Sequence, residues 1–351
     1  MEFTHAGDLI LSFPFLRKLR EIFPHARIDF ACGSWGKEVL TLNPHIDGVI
    51  SYDHPRFNRG RVHPLQSIRN TFKFIQDIRK SKYDASFELR GNFASALLNI
   101  LSGSRYKYGR DISHYKFPYA YSVHDIDQPE AINKLNLLKP FIQTPWAEVS
   151  YDVRLPIGIS ENIERKFNNV FKKPYIVFHT LSPWIPRNWD LLRFQDLMTR
   201  LIRHFDIHIA LIGSEKDRVE NGGLHKIAPL RIFNLCGLLT WPETACLINK
   251  CLMFVGCDSG PGHLAASIGV NAVSLIGPGE YPRFAPYNPG GNIKIIRHPV
   301  CEYQKNNNCR PTKNPKLCMM IENICMKAIM VSDVFDAIKV SIESNPNYLL
   351  I

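Results

Sequence analysis

The hydrophobic pattern of this chain alternates between two periods. In the first half, Leu9 to Phe23 carries apolar residues at helical spacing, with Pro14 near its start. Arg27-Ile28-Asp29-Phe30-Ala31 and Val49-Ile50-Ser51-Tyr52 read as short strands. Ser67 to Arg79 predicts an amphipathic helix whose apolar stripe is Ile68, Phe72, Ile75 and Ile78. Tyr83 to Leu89 predicts a strand, and Ala94 to Leu101 a helix ending near Gly103. The second half begins near Pro174. Tyr175 to Phe178 is a continuous apolar run, as a strand covered on both faces requires. Leu191 to Phe205, Ile207 to Ile212, Arg231 to Leu235, Trp241 to Asn249, Cys251 to Gly256 and Ala272 to Ile276 continue the alternation of helix and strand. Asp152 to Phe171 reads as the connection, and Ser332 to Ser344 as a last helix. Alternation of this kind predicts an α/β protein: two doubly wound, Rossmann-like parallel sheets with helices on both faces. Two facing domains of this type bring the C-terminal ends of both sheets to one cleft, where open α/β sheets bind ligands.

Composition narrows the classes. The chain has 351 residues, enough for two domains, and 45% of them are hydrophobic, enough for full-sized cores. No apolar run reaches the length of about 18 residues that a membrane span needs. Met1-Glu2-Phe3-Thr4-His5 has no basic region leading into an apolar core, so a cytoplasmic protein is expected. The net charge of +11 is unevenly spread: Arg56 to Lys116 holds 13 Lys/Arg against four Asp/Glu, a surplus of nine. Such a field draws anions, whether a phosphorylated glycolipid or an anionic membrane face, unless it is simply a solvated surface. The aromatic interleaving of an RNA-binding sheet is missing, so nucleic acid is not an expected partner.

Residues 256–268, Gly-Cys-Asp-Ser-Gly-Pro-Gly-His-Leu-Ala-Ala-Ser-Ile, carry the most chemistry. An apolar strand runs into a Gly-rich turn and then a helix N-terminus. The free N–H groups and the helix dipole make that turn an anion site. Gly260 and Gly262 let the backbone approach a ligand, and His263 adds a ring donor. The same residues also suit an ordinary Asp258-Ser259 helix cap. Three further segments stand at predicted strand or helix ends. Asp8, at a helix start, fits either an N-cap or a general base. In the loop after Phe178, Ser182 is a hydroxyl donor and Arg187 a permanent cation that can grip a phosphate, or else a solvated surface charge. Glu215, after Gly213-Ser214, fits a ribose diol or a helix N-terminal charge. Together these groups make a nucleotide-diphosphate pocket without a metal. The second half has no Asp-x-Asp pair to hold Mg²⁺. A Gly-x-Gly-x-x-Gly at the first turn and a Gly-Lys-Ser/Thr loop are both missing, which argues against a dinucleotide dehydrogenase and a P-loop enzyme.

The chain resembles glycosyltransferase family 9, the ADP-heptose:lipopolysaccharide heptosyltransferases, over nearly its whole length. The likeness rests on Gly7-Asp8-Leu9-Ile10-Leu11-Ser12-Phe13-Pro14 with Phe23-Pro24-His25-Ala26, on Asn43-Pro44-His45-Ile46-Asp47-Gly48-Val49-Ile50, on Arg187-Asn188-Trp189 where the family commonly has Lys-x-Trp, and on Asp258 to Ala266 with Gly277-Pro278. Cys325-Met326-Lys327-Ala328-Ile329 matches a common family ending. The resemblance implies a GT-B fold, with an acceptor-binding domain over 1–158, a nucleotide-sugar domain over 159–331, and a C-terminal helix, 332–351, packing back on the first domain. It implies a heptose transferred from ADP-heptose to an anionic lipopolysaccharide acceptor at the inner face of the inner membrane, with inversion, no metal and no cofactor. Asp8 would be the general base and Arg187 the stand-in for the family's diphosphate-binding Lys. Glu215 would hold the ribose. Ser182, Asp258, Ser259, Gly260 and His263 would line the donor site. Ahead of Gly7-Asp8 only Met1 to Ala6 stand where the family has a full strand. The same geometry also serves another nucleotide sugar, or a sugar-nucleotide-binding protein without catalysis.

Cys301, Cys309, Cys318 and Cys325 are separated by seven, eight and six residues. Paired C-x₂-C spacing is missing, so a local disulfide or buried thiols are expected ahead of a structural zinc. Cys32, Cys236, Cys246, Cys251 and Cys257 lie in apolar runs and read as core.

Overall fold

The computed structural model describes residues 1–53, 64–111, 117–142, 149–301, 309 and 323–344. The chain divides into two units, Met1–Arg154 and Leu155–Ile351. The sequence placed that boundary four residues later, after residue 158.

The first unit contains α1 (Ala6–Ile10), α2 (Phe13–Ile22), β1 (Asp29–Cys32), α3 (Lys37–Leu40), β2 (Gly48–Ser51), α4 (Pro64–Lys80), β3 (Ala85–Phe87), α5 (Phe93–Leu101), β4 (Tyr106–Arg110), β5 (Tyr121–Val123) and α6 (Glu130–Leu135). Among the described residues all its strand pairs are parallel: β1 with β2, and β3-β4-β5 in that order. The first residues of the chain lie between the two sheets. Glu2 N–H donates to the Ala31 carbonyl at 3.0 Å, and Leu89 N–H donates to the Met1 carbonyl at 3.2 Å. Met1 N donates to the Phe87 carbonyl at 2.6 Å. This short extended segment therefore does the work of a strand. It also drives Phe3 into the core, edge-on to Tyr52 and Phe74 at 5.8 and 6.0 Å.

Two readings of the pattern change here. Leu9 to Phe23 is not one helix: α1 ends at Ile10, and α2 starts at Phe13 with Pro14 in its first turn, where the missing N–H is harmless. The stripe Ile68, Phe72, Ile75, Ile78 is not one core face either. Phe74 and Ile78 are buried and Ile75 packs beside them, while Ile68 and Phe72 face water. The helix has two apolar sides, and a single 3.6-residue period cannot say which one meets the sheet. The strands β4 and β5 escaped the sequence reading because one is polar (YKYGR) and the other is three residues long.

The second unit contains α7 (Ile159–Lys166), β6 (Tyr175–His179), α8 (Leu191–His204), β7 (His208–Leu211), α9 (Glu215–Glu220), α10 (Gly222–Ile227), β8 (Ile232–Asn234), α11 (Trp241–Asn249), β9 (Met253–Cys257), α12 (Gly260–Ile268), β10 (Ala272–Leu275), β11 (Ile293–Ile296), α13 (Ile324–Ala328) and α14 (Val331–Glu343). One six-stranded parallel sheet has the order β11-β10-β9-β6-β7-β8. Val177 of β6 stands opposite Phe254 of β9 and Ala210 of β7. Every residue of β6, β7, β9 and β10 is buried, which is why these strands read as unbroken apolar runs. The chain winds outward from β6 in both directions, so the strand order reverses between β6 and β9. Ligands bind at such a switch point. Gly256 lies there: a Cβ on it would stand 2.8 Å from the His179 carbonyl, too close for any other residue. The last described helix, α14, buries Val334, Ile338 and Ile342 in the second unit's core, with Leu197 and Leu201 of α8.

Candidate functional site

In the first unit the chemistry gathers around Asp8. Its helix begins at Ala6, and the cap residue His5 makes no side-chain cap bond. Asp8 does not cap the helix either. Its carboxylate accepts from Arg90 Nη1 at 2.9 Å and from Thr4 Oγ1 at 2.7 Å, with His5 Nδ1 at 3.3 Å. Lys134 of α6 is wholly buried below it. The Lys134 ammonium donates to the Asp8 carbonyl at 2.6 Å and to Ser12 Oγ at 2.9 Å, and lies 3.5 Å from the buried Glu2 carboxylate. Burial alone pushes the Asp8 carboxyl up. The Arg90 charge, the His5 hydrogen bond and the Lys134 charge together outweigh it and hold the group well below the usual carboxylate range. Asp8 is thus a fixed, ionised carboxylate, 7% exposed.

The surrounding groups explain that rigidity. Glu88, buried, accepts from the Arg90 N–H at 2.8 Å, the Gly91 N–H at 2.9 Å and Ser95 Oγ at 2.6 Å, which fixes the turn carrying Arg90. Burial raises the Glu88 carboxyl above its ordinary range, and the three donors only partly offset it. Arg110, also buried, pairs with Asp125 and Glu130 and donates to the Leu89 carbonyl at 2.9 Å.

In the second unit the site forms where the strand order reverses. The loop after β6 is closed by Asn188, which accepts from the Ser182 N–H at 2.6 Å and donates to the Ser182 carbonyl at 3.2 Å. The Ser182 hydroxyl accepts from the Trp184 N–H at 3.3 Å. Arg187 lies over the Trp184 ring at 5.4 Å and pairs with Asp258 at 3.1 Å. His263 Nε2 stands 4.0 Å from the other Asp258 oxygen. Ser259 precedes α12 in extended conformation, and its side chain does not cap the helix. The Asp-Ser cap suggested by the sequence is therefore not formed by Ser259. Its buried hydroxyl and Arg187 Nε have no hydrogen-bond partner among the described residues. Gly260 opens α12 directly after Asp258 and Ser259. Gly279, after β10, forms a wall: a Cβ there would lie 3.6 Å from Arg187 Nη2. Glu215 stands one strand over, exposed in the first turn of α9, where its side chain packs on Gly237, a residue in the left-handed region at φ 72°. Ser214 and Asp217 cap that helix instead.

The structure therefore brings Arg187, Asp258, Ser259, Gly260 and His263 together, keeps Ser182 in the Arg187 loop, and leaves Glu215 apart. Sequence reasoning missed Arg90, Lys134, Thr4 and Trp184. Arg90 left a signal, since Glu88-Leu-Arg-Gly puts charges at the end of a strand. Lys134 left none, because a lysine between Ile132 and Leu135 reads as a solvated helix position. Of the cysteine cluster, Cys309 and Cys325 are buried, and Cys318 lies outside the described residues. Among the described residues no helix is long and apolar enough to cross a membrane.

The sequence model of glycosyltransferase family 9 (heptosyltransferase) matches residues 71–314. The chain belongs to that family. It is a glycosyltransferase, and its fold is that of the GT-B heptosyltransferases among its structural neighbours. It is 24% identical over 317 residues to lipopolysaccharide heptosyltransferase 3 of Escherichia coli K12, covering 85% of this chain and 86% of that protein. It is 23% identical over 350 residues to lipooligosaccharide heptosyltransferase 2 of Campylobacter jejuni, covering 96% of this chain and 95% of that one. Among solved structures, E. coli ADP-heptose lipopolysaccharide heptosyltransferase II superposes with a TM-score of 0.75 at 19% identity, covering 97% of this chain and 98% of that one. A family 9 glycosyltransferase of Veillonella parvula gives 0.79 at 18% identity, covering 98% of this chain and 96% of that one.

Proposed function

We propose that this enzyme transfers a heptose from ADP-heptose to an anionic lipopolysaccharide core glycolipid, with inversion and without a metal ion. The observation that carries the reading is the Asp8 carboxylate, held ionised by Arg90 and Lys134 in the first turn of α1. In this mechanism the acceptor hydroxyl attacks the anomeric carbon. Its O–H bond breaks and the proton passes to Asp8. The bond from the anomeric carbon to the β-phosphate oxygen breaks, and its electron pair leaves with ADP. A carboxylate this acidic takes the proton late, once the new C–O bond has made the hydroxyl strongly acidic. The growing charge on the diphosphate meets Arg187, His263 and the N-terminus of α12. Asp258 carries the same sign as the diphosphate, so its part is to hold Arg187 and His263 in place. Ser182, Ser259 and Gly260 supply the remaining donors at the phosphates. Glu215, in the first turn of α9 and one strand over from the phosphate cluster, would accept from the ribose hydroxyls, which lie away from the diphosphate.

The test is transfer from ADP-heptose to a heptose-deficient lipopolysaccharide, followed by release of ADP and by the anomeric configuration of the product. Transfer with inversion that survives EDTA is the expected result. No transfer, a preference for a nucleotide hexose, or activity lost to EDTA and restored by Mg²⁺ overturns the reading.

A further inference from the structure

We propose that the outward face of α4 docks the enzyme on an anionic lipid surface. The inner side of this helix is already satisfied: Phe74 and Ile78 are buried with Phe3 and Tyr52. On the opposite side Leu65, Ile68 and Phe72 are 71%, 54% and 63% exposed. Their spacing of three and four residues places them in one stripe. Arg69, Lys73 and Lys80 are exposed on the same side, and Asp77 is the helix's single acidic residue.

Three large apolar side chains in water forgo burial worth roughly 1.5–3 kcal/mol each. A face that mixes them with lysine and arginine suits one environment in particular. The apolar groups enter the acyl boundary, while the cations meet headgroup phosphates. A second copy of the chain is a poorer occupant, because a two-fold contact sets the same four Lys/Arg of the helix against one another. The use of this docking rests on the transferase reading above, since a lipid-anchored acceptor lies in such a surface. The docking itself does not depend on it.

The experiment is flotation of the full chain with vesicles of phosphatidylglycerol and phosphatidylethanolamine, against vesicles of phosphatidylcholine alone. The protein should float with the anionic vesicles and be released by 0.5 M salt, at which screening shortens to about 4–5 Å. L65S/I68S/F72S should lower partitioning at least tenfold. R69Q/K73Q should lower it about 30-fold, from about fivefold for each basic residue near the surface. Both variants alter exposed positions, so Tm and turnover on a delipidated, water-soluble acceptor should match wild type, while turnover on a vesicle-embedded acceptor falls. Equal flotation of wild type and variants overturns the proposal. So does a concentration-dependent dimer that F72S abolishes in sedimentation equilibrium. If the soluble acceptor is not glycosylated yet flotation behaves as stated, the transferase reading fails and the docking stands. The converse outcome sinks the docking alone.

Discussion

The two units solve the problem of buried charge in opposite ways. Around Asp8 the charges are closed on themselves: Arg90, Thr4 and His5 surround the carboxylate, and Lys134 and Arg110 are locked to acids and carbonyls. Around Arg187 the charges are half-closed. Asp258 and the Trp184 ring hold the guanidinium, but its Nε and the Ser259 hydroxyl have no hydrogen-bond partner among the described residues. Buried donors without partners cost about 1–3 kcal/mol each, a cost that the proposed diphosphate would offset. The first arrangement fixes one geometry and keeps the resting carboxylate ionised. The second leaves donors open for the diphosphate of the proposed reaction.

Four measurements bear on that contrast. The largest effect is expected at Asp8. Asp8→Asn keeps the shape and removes the charge, so kcat should fall about 10²–10⁴-fold while calorimetry shows ADP-heptose affinity unchanged. A parallel loss of donor affinity breaks the division of labour. Next, Lys134→Met strands the buried Glu2 carboxylate, and urea unfolding should register a loss of about 3–5 kcal/mol; a change below 1 kcal/mol would show that the closed network is not a structural necessity.

The third measurement concerns pH. His179, at the end of β6, is buried, and burial lowers its ring to about 4 from 6.5. Between those values the unfolded chain binds a proton that the folded ring refuses. Stability is therefore lost as pH falls from 6.5 toward 4, by roughly 3 kcal/mol if this group acts alone. His179→Gln should flatten the curve in that window, and an unchanged slope assigns the acid sensitivity elsewhere. Asp8 acts at lower pH with its own signature: its contribution is whole above the ordinary carboxylate range and disappears only in stronger acid. The smallest effect is Arg187→Ala, which should weaken ADP binding by about 1–3 kcal/mol. Equal weakening in Asp258→Asn ties the two into one device, whereas tighter binding there shows Asp258 competing with the phosphates.

Much of the second unit was legible because its information is local. The apolar runs at 175–178 and 272–276 contain the observed strands β6 and β10 to within a residue, and the turn at 258–263 opens α12. A continuous run of buried residues has one reading once its length is right for a strand. The first unit was harder. Its strands are short, β11 of the second unit shares that difficulty, and α4 shows the sharper problem: two apolar stripes on one helix look alike until something packs against one of them.

Local chemistry along the chain was enough to announce an α/β architecture, a Gly-rich turn at a helix start, and an acidic side chain in the first turn of a helix at position 8, because each depends on neighbours a few residues away. The charge state of that carboxylate came from elsewhere. Arg90 lies 82 residues from Asp8, and Lys134 lies 126 residues away. Which side of α4 met the core, and which was left for water, was likewise settled only by packing. Coulomb attraction and burial act through space, and a linear pattern carries no distances between residues that the fold brings together.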